Sequence, residues 1–182
     1  MEKSIIIILA VDKENGIGIQ GNLPWKLKSD MIYFREVTTT TLQKDKINAL
    51  IMGRKTWESI PEKFRPLPGR KNIVLSRNEF TSAGALHFFS LEEAIKSLKD
   101  DENIENIFII GGAQIYNEAI NKGIADMIYQ TRIMGDFSCD TFFIGIPNNY
   151  ELSSIVGPNE ENNISFQFEV YNKTREKSFL TK

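Results

Sequence analysis

The chain has 182 residues, of which 41% are hydrophobic and 25% charged, and its formal net charge is -2. That length suits one domain over residues 1–182, and that composition suits a folded globular protein rather than a disordered one. The near balance of charge argues against a general nucleic-acid binder. One cysteine excludes an internal disulfide, and one cysteine with one histidine leaves a structural zinc site short of ligands.

Residues 5–11 are a continuous apolar run, Ile-Ile-Ile-Ile-Leu-Ala-Val. It is too short to span a bilayer, and no small-residue cleavage site follows, so it is read neither as an anchor nor as a signal peptide. No membrane association and a cytoplasmic, reducing location are expected, with import into an organelle left open. The run reads as a strand covered on both faces, as do 48–52, 72–75 and 107–110. Residues 29–37 are predicted helical, with Ser29 as N-cap, and another helix is predicted to start near Thr56. Leu91, Ala94, Ile95 and Leu98 fall at helical spacing behind a capping box of Ser90 and Glu93. Ile115, Tyr116, Ala119 and Ile120 mark a further helix that Gly123 closes in a left-handed conformation. Residues 127–133 and 166–172 are strand-like, with a polar loop at 160–163, and are expected to pair antiparallel at the sheet edge. Strands alternating with helices imply a mostly parallel α/β sheet.

Gly16 to Gly21 match G-x-G-x-x-G, but Asn-Leu-Pro-Trp follows and no helical periodicity starts until Met31. A dinucleotide turn must open a helix, so this segment reads instead as a glycine-hinged loop that closes over a cleft. Gly111-Gly112 lie between a strand and a helix, where bare backbone amides and the helix dipole favour an anion; a plain tight turn explains them equally well. Arg54, Lys55 and Thr56 follow one strand, and Ser76-Arg77 follow the next. Each alone is a solvated rim residue, but together they sit at strand ends where α/β sheets bind ligands, and the cations can converge on a phosphate. Asp30 occupies a first helical turn, which the dipole favours, yet it shares a face with Phe34 and Val37. A carboxylate on an apolar stripe calls for a ligand with donor groups. Arg70 follows the rigid turn Pro-Leu-Pro-Gly and is placed to clamp a carboxylate, although most turn arginines are merely solvated. His87 and Cys139 lack partners for nucleophilic chemistry.

Together these motifs resemble dihydrofolate reductase over nearly the whole chain. The markers are Ile-Gly-Ile and Gly-Asn-Leu-Pro-Trp within 17–25, Asp30 with Phe34, Ile-Met-Gly-Arg-Lys-Thr-Trp-Glu-Ser-Ile at 51–60, and Arg-Pro-Leu-Pro-Gly-Arg-Lys-Asn-Ile-Val-Leu-Ser-Arg at 65–77. Ile-Gly-Gly with Ile-Tyr at 110–116 and Asp-Thr-Phe-Phe at 140–143 complete them. Residues 61–64 look like the insertion of the eukaryotic branch. Asp30 stands where vertebrate members usually carry Glu, and Ile144 stands where many members have Pro.

The resemblance implies a twisted, mostly parallel sheet of about eight strands with an antiparallel C-terminal edge and about four helices. It implies hydride transfer from NADPH to C6 of 7,8-dihydrofolate with protonation of N5, in the service of one-carbon metabolism. Asp30 would anchor the pterin and lie on the proton path, which runs through water, with Thr131 bridging to it; Leu23 and Trp25 would belong to the closing loop. Ile8, Ala10, Met31, Phe34, Ile60, Leu67 and Ile110 would wall the substrate, and Arg70 would hold its glutamate carboxylate. Arg54, Lys55, Thr56, Ser76 and Arg77 would hold the phosphates on the adenine side, favouring NADPH over NADH. Ala10, Ile17, Gly53, Leu75, Ile110, Gly111, Gly112, Ala113, Gln114, Ile115 and Tyr116 would line the rest of the cofactor site. A cis Gly111–Gly112 bond, response to antifolate-type molecules, and a fused or separate thymidylate synthase are also implied; the last residues, Lys-Ser-Phe-Leu-Thr-Lys, suit either arrangement. Two other readings stay open: a reductase of the same architecture acting on another heterocycle, which need not bind a glutamate tail, and a non-catalytic folate- or nucleotide-binding protein.

Overall fold

In the computed structural model, which describes residues 2–174, the first apolar run is strand β1 (Ile5–Val11). Its alternate residues feed two different cores. Ile5, Ile7, Leu9 and Val11 pack on one face of the sheet, and Ile6 and Ile8 on the other. That two-sided burial is why the run has no polar alternation. The order continues with β2 (Gly16–Gly18), α1 (Lys28–Thr39), β3 (Ile47–Gly53), α2 (Arg54–Ser59), β4 (Arg70–Leu75) and β5 (Ala85–Phe88). Next come α3 (Leu91–Asp100), β6 (Ile104–Ile109), α4 (Ala113–Asn121), β7 (Met127–Ile133), β8 (Thr141–Phe142), β9 (Tyr150–Glu161) and β10 (Ile164–Lys173). A 3-10 turn at Glu62–Phe64 follows α2.

Eight strands form one sheet in the order β5-β4-β3-β6-β1-β7-β10-β9, and β2 pairs with β8 apart from it. From β5 to β7 all pairings are parallel, whereas β10 is antiparallel to both β7 and β9. The predicted architecture is therefore present, including the antiparallel pairing of 127–133 with 166–172. Strand β9 was not anticipated. Most of it is exposed, so it lacks the apolar signature of the central strands, and it extends through Glu160 and Glu161, whose polar sequence reads as a loop. The true turn is Asn162-Asn163, both with positive φ (54° and 60°), a conformation asparagine tolerates and a hairpin favours.

Helices α3 and α4 cover the first core through Leu91, Ala94, Leu98, Ile115 and Ala119. Phe34 and Val37 of α1, with Trp57 of α2, cover the second. The Ser90 hydroxyl caps α3 by accepting from the Glu93 amide at 3.2 Å. Gly123 ends α4 with φ 60°, as its place after Ile120 predicts. Two helix starts differ from expectation. Ser29 is not an N-cap, because α1 already begins at Lys28 and Leu27 holds the cap position with no side-chain bond. Helix α2 begins at Arg54, two residues before Thr56, because the chain turns straight after the extended Gly53. Among the described residues no helix is long and apolar enough to cross a membrane. The six C-terminal residues quoted above lie outside the described part.

Candidate active site

Strands β4, β3, β6 and β1 are neighbours, and their carboxyl ends open together on one cleft of about 2090 Å³. A typical small-molecule pocket holds roughly 300–1,000 Å³, so this one has room for two ligands. The parallel order dictates the location: strand ends and the turns after them all meet on the same edge.

Asp30 reaches the cleft from the first turn of α1, and the Thr131 hydroxyl of β7 donates to its Oδ1 at 2.6 Å. Burial pushes the Asp30 carboxyl above its usual range. The Thr131 bond opposes that, and the nearby Glu161 carboxylate adds to it. A half-buried acid with one hydroxyl donor retains unfilled acceptor positions facing the cleft, which suits a ligand edge rich in N–H groups. One turn on, Phe34 faces the same cleft, and the Arg70 guanidinium lies 5.9 Å from its ring. Arg70 is buried at the start of β4. Its Nε donates to the Pro68 carbonyl at 3.0 Å and its Nη1 to the Thr38 hydroxyl at 2.8 Å. Burial, and then the neighbouring Arg35, draw its pKa below the usual arginine value. Along α1 the cleft thus presents an acid, then an aromatic ring, then a fixed cation.

The opposite part of the cleft is bare backbone edged with positive charge. The Gly111–Gly112 bond is cis. The Gly111 carbonyl accepts from the Gly53 amide at 2.7 Å, locking the turn after β6 to the end of β3. Side chains would be crowded here: a Cβ at Gly53 would lie 3.1 Å from Ile115 Cδ1, and one at Gly111, where φ is 119°, would lie 3.2 Å from the Tyr116 hydroxyl. Tyr116 itself is buried and donates to the Ile8 carbonyl at 2.9 Å, tying α4 to β1. Lys55 and Arg77 are exposed on the rim with Thr56 and Ser76. Arg54 lines the same rim, with its Nε bonded to Glu58 at 2.6 Å and its guanidinium over the Phe80 ring.

The segment before α1 opens no helix, as its Asn-Leu-Pro-Trp continuation predicts, but it is not loop throughout, because Gly16–Gly18 form β2 paired with β8. No helix follows Gly21, whose φ is 77°; a β-bridge joins Ile19 to Asn22, and the chain reaches α1 only at Lys28. Leu23 is 52% exposed at the cleft mouth, whereas Trp25 is buried against Phe137 with its indole N–H unpaired.

Every residue proposed from the sequence lines this cleft except Trp25, which with Leu23, Asp30 and Met31 lines an adjoining hollow of about 450 Å³. Sequence reasoning missed Tyr33, Glu161 and Asn162, which also line these spaces. Tyr33 was within reach, being on the same helix as Asp30. Glu161 and Asn162 arrive from a hairpin more than a hundred residues away, and no local signal marks them.

A family model described as dihydrofolate reductase matches residues 4–173. The dihydrofolate reductase of Drosophila melanogaster is 42% identical over 175 residues, covering 92% of this chain and 96% of the relative. That of Sus scrofa is 43% identical over 178 residues, covering 91% and 96%. Bifunctional dihydrofolate reductase-thymidylate synthase 1 of Arabidopsis thaliana is 38% identical over 178 residues, covering 93% of this chain and 34% of that protein.

Proposed function

The chain belongs to the dihydrofolate reductase family and is an enzyme of that class; we propose that it transfers a hydride from NADPH to C6 of 7,8-dihydrofolate while N5 gains a proton. The observation that carries this reading is the half-buried Asp30 carboxylate, bonded by Thr131, in a cleft whose other half is glycine backbone rimmed with cations. Ionised Asp30 is acceptor-only, which matches the amino group and N3 of a pterin. Ile8, Ala10, Met31, Phe34, Ile60, Leu67 and Ile110 pack against its flat rings, as apolar linings do. Arg70, already oriented by Pro68 and Thr38, clamps the glutamate carboxylate of the same molecule. A heterocycle without that tail leaves Arg70 unused, which favours folate over the rival substrate.

The residues across the cleft fit a dinucleotide. Gly53, Gly111 and Gly112 leave a cradle that a Cβ would fill, and Lys55, Thr56, Ser76 and Arg77 offer charge and hydroxyls for phosphates. Ile17, Leu75, Ala113, Gln114, Ile115 and Tyr116 complete that wall. Bound there, NADPH supplies the hydride. Asp30 holds the pterin in place and favours protonation at N5 through water, since its carboxylate is engaged at the other edge of the ring. The 17–25 loop, through Leu23, screens the reacting atoms from bulk solvent. The product serves one-carbon transfer and thymidylate synthesis, and a fused or separate thymidylate synthase is a natural partner.

The test is direct. Protein mixed with NADPH should consume the NADPH absorbance band only when dihydrofolate is added. No dihydrofolate-dependent loss at micromolar enzyme would reject the proposal in favour of a binding protein.

A further inference from the structure

The first turn of the helix that carries Asp30 is bonded by a second acid, Glu161, distant in sequence. Helix α1 has no cap of its own, since Leu27 brings no side-chain acceptor to its first amides. Those amides are taken instead by Glu161 at the end of β9, whose two carboxylate oxygens accept from Lys28 N at 2.6 Å and Ser29 N at 2.9 Å. Beside it, Asn162 Nδ2 donates to the Lys26 carbonyl at 3.1 Å. The hairpin turn therefore grips the end of the loop and the first turn of the helix together. The other strand of that hairpin, β10, places Phe168 opposite Thr131 of β7, and Phe168 stacks on Tyr33 of α1 at 4.0 Å between ring centroids. One hairpin thus braces both partners of the Asp30–Thr131 bond, and Glu161 shares a hollow with Asp30.

We propose that Glu161 is a positioning residue for the reduction, clamping the N-terminus of α1 so that Asp30 stays seated against Thr131, with its own fixed negative charge facing that acid. The idea rests on the reading of Asp30 given above. Electrostatics supports it: the Ser29 bonds, then the Lys28 amide, keep the Glu161 carboxyl below its usual range, and its charge in turn raises Asp30. The other titratable or charged groups around Asp30 are Tyr33 and Tyr116, both pushed up mainly by burial and so neutral near pH 7, and Lys26 and Lys28 at the mouth of the hollow. Glu161 is thus the anionic neighbour whose removal should change the proton affinity of Asp30.

The experiment compares wild type, Glu161→Gln and Glu161→Ala in kcat and KM for dihydrofolate and NADPH across pH, alongside melting temperature. Glu161→Ala should lose roughly tenfold or more in kcat/KM for dihydrofolate, because a small misplacement of a catalytic group is enough for that. Its KM for NADPH should be unchanged. In both variants the limb of the pH profile that Asp30→Asn abolishes should move to lower pH, and by more at low salt. Glu161→Gln retains one acceptor oxygen, so it should keep more of kcat while shifting the limb as far. Wild-type kinetics in both variants, or a lowered melting temperature with an unmoved limb, would reduce Glu161 to an ordinary helix cap and overturn the proposal. A wild type with no dihydrofolate-dependent turnover would overturn the reductase reading, and this one with it.

Discussion

Burial of the Asp30 carboxyl should cost the fold stability at neutral pH. Burial raises its pKa in the folded protein, while the unfolded chain ionises near 3.8. As pH rises between these two values the unfolded state loses its proton first, so stability falls across that window and stays lower above it. Asp30→Asn keeps an acceptor for Thr131 and removes the buried charge. That variant should melt higher than wild type at pH 7, with the advantage vanishing as pH drops toward 3.8, while kcat falls about 100-fold or more. A melting difference that grew on acidification would show the sign to be wrong. Arg70→Met should weaken dihydrofolate binding roughly 10- to 100-fold, the range of a hydrogen bond to a charged group, and leave NADPH binding nearly unchanged. Equal losses in two fluorescence titrations would refute the assignment of Arg70 to the glutamate tail.

The turns between elements set the half of the cleft proposed for the cofactor. At Gly111 the backbone is left-handed (φ 119°) and the Tyr116 hydroxyl would crowd a Cβ, so Gly111→Ala should lose both melting temperature and NADPH affinity. Gly53→Ala has an ordinary φ and needs only the Ile115 methyl to give way, so it should be the milder of the pair in the same two measurements. The α3 cap behaves differently. Ser90→Ala removes the hydroxyl that the Glu93 amide uses, and should cost about 1 kcal/mol in urea unfolding. The contrast with α1 is instructive: the Ser90 cap lies three residues from its partner and was visible as a motif, whereas α1 borrows Glu161 across 132 residues.

Over the whole molecule, two ligand halves share one sheet edge, and binding should register as stability. NADPH at about 100 times its dissociation constant should add about 2.7 kcal/mol to the unfolding free energy, and dihydrofolate should add its own increment. Thermal melts with each ligand alone and with both together measure this; a melting temperature indifferent to NADPH would contradict the cofactor placement. The cations Lys55 and Arg77 sit in solvent, so that NADPH-linked shift should shrink as salt rises.

Most of this architecture was legible along the chain because its signals are local. Four unbroken apolar runs are what a sheet covered on both faces requires, and Leu91 to Leu98 show a helical stripe with its cap. The residues proposed for the site were legible for a related reason: in a parallel sheet the residues after each strand meet on one edge, so Gly53 to Thr56, Ser76-Arg77 and Gly111-Gly112 line the same cleft. Contacts distant in sequence leave no such trace. Strand β9 is mostly exposed and carries no core pattern, so only its pairing with β10 makes it a strand. Nor does the strand-end position of Arg54 show that its Nε bonds Glu58 one turn away. The partner of the first amides of α1 was settled by a hairpin folding back across the sheet, because an uncapped helix end accepts whatever carboxylate the packing delivers.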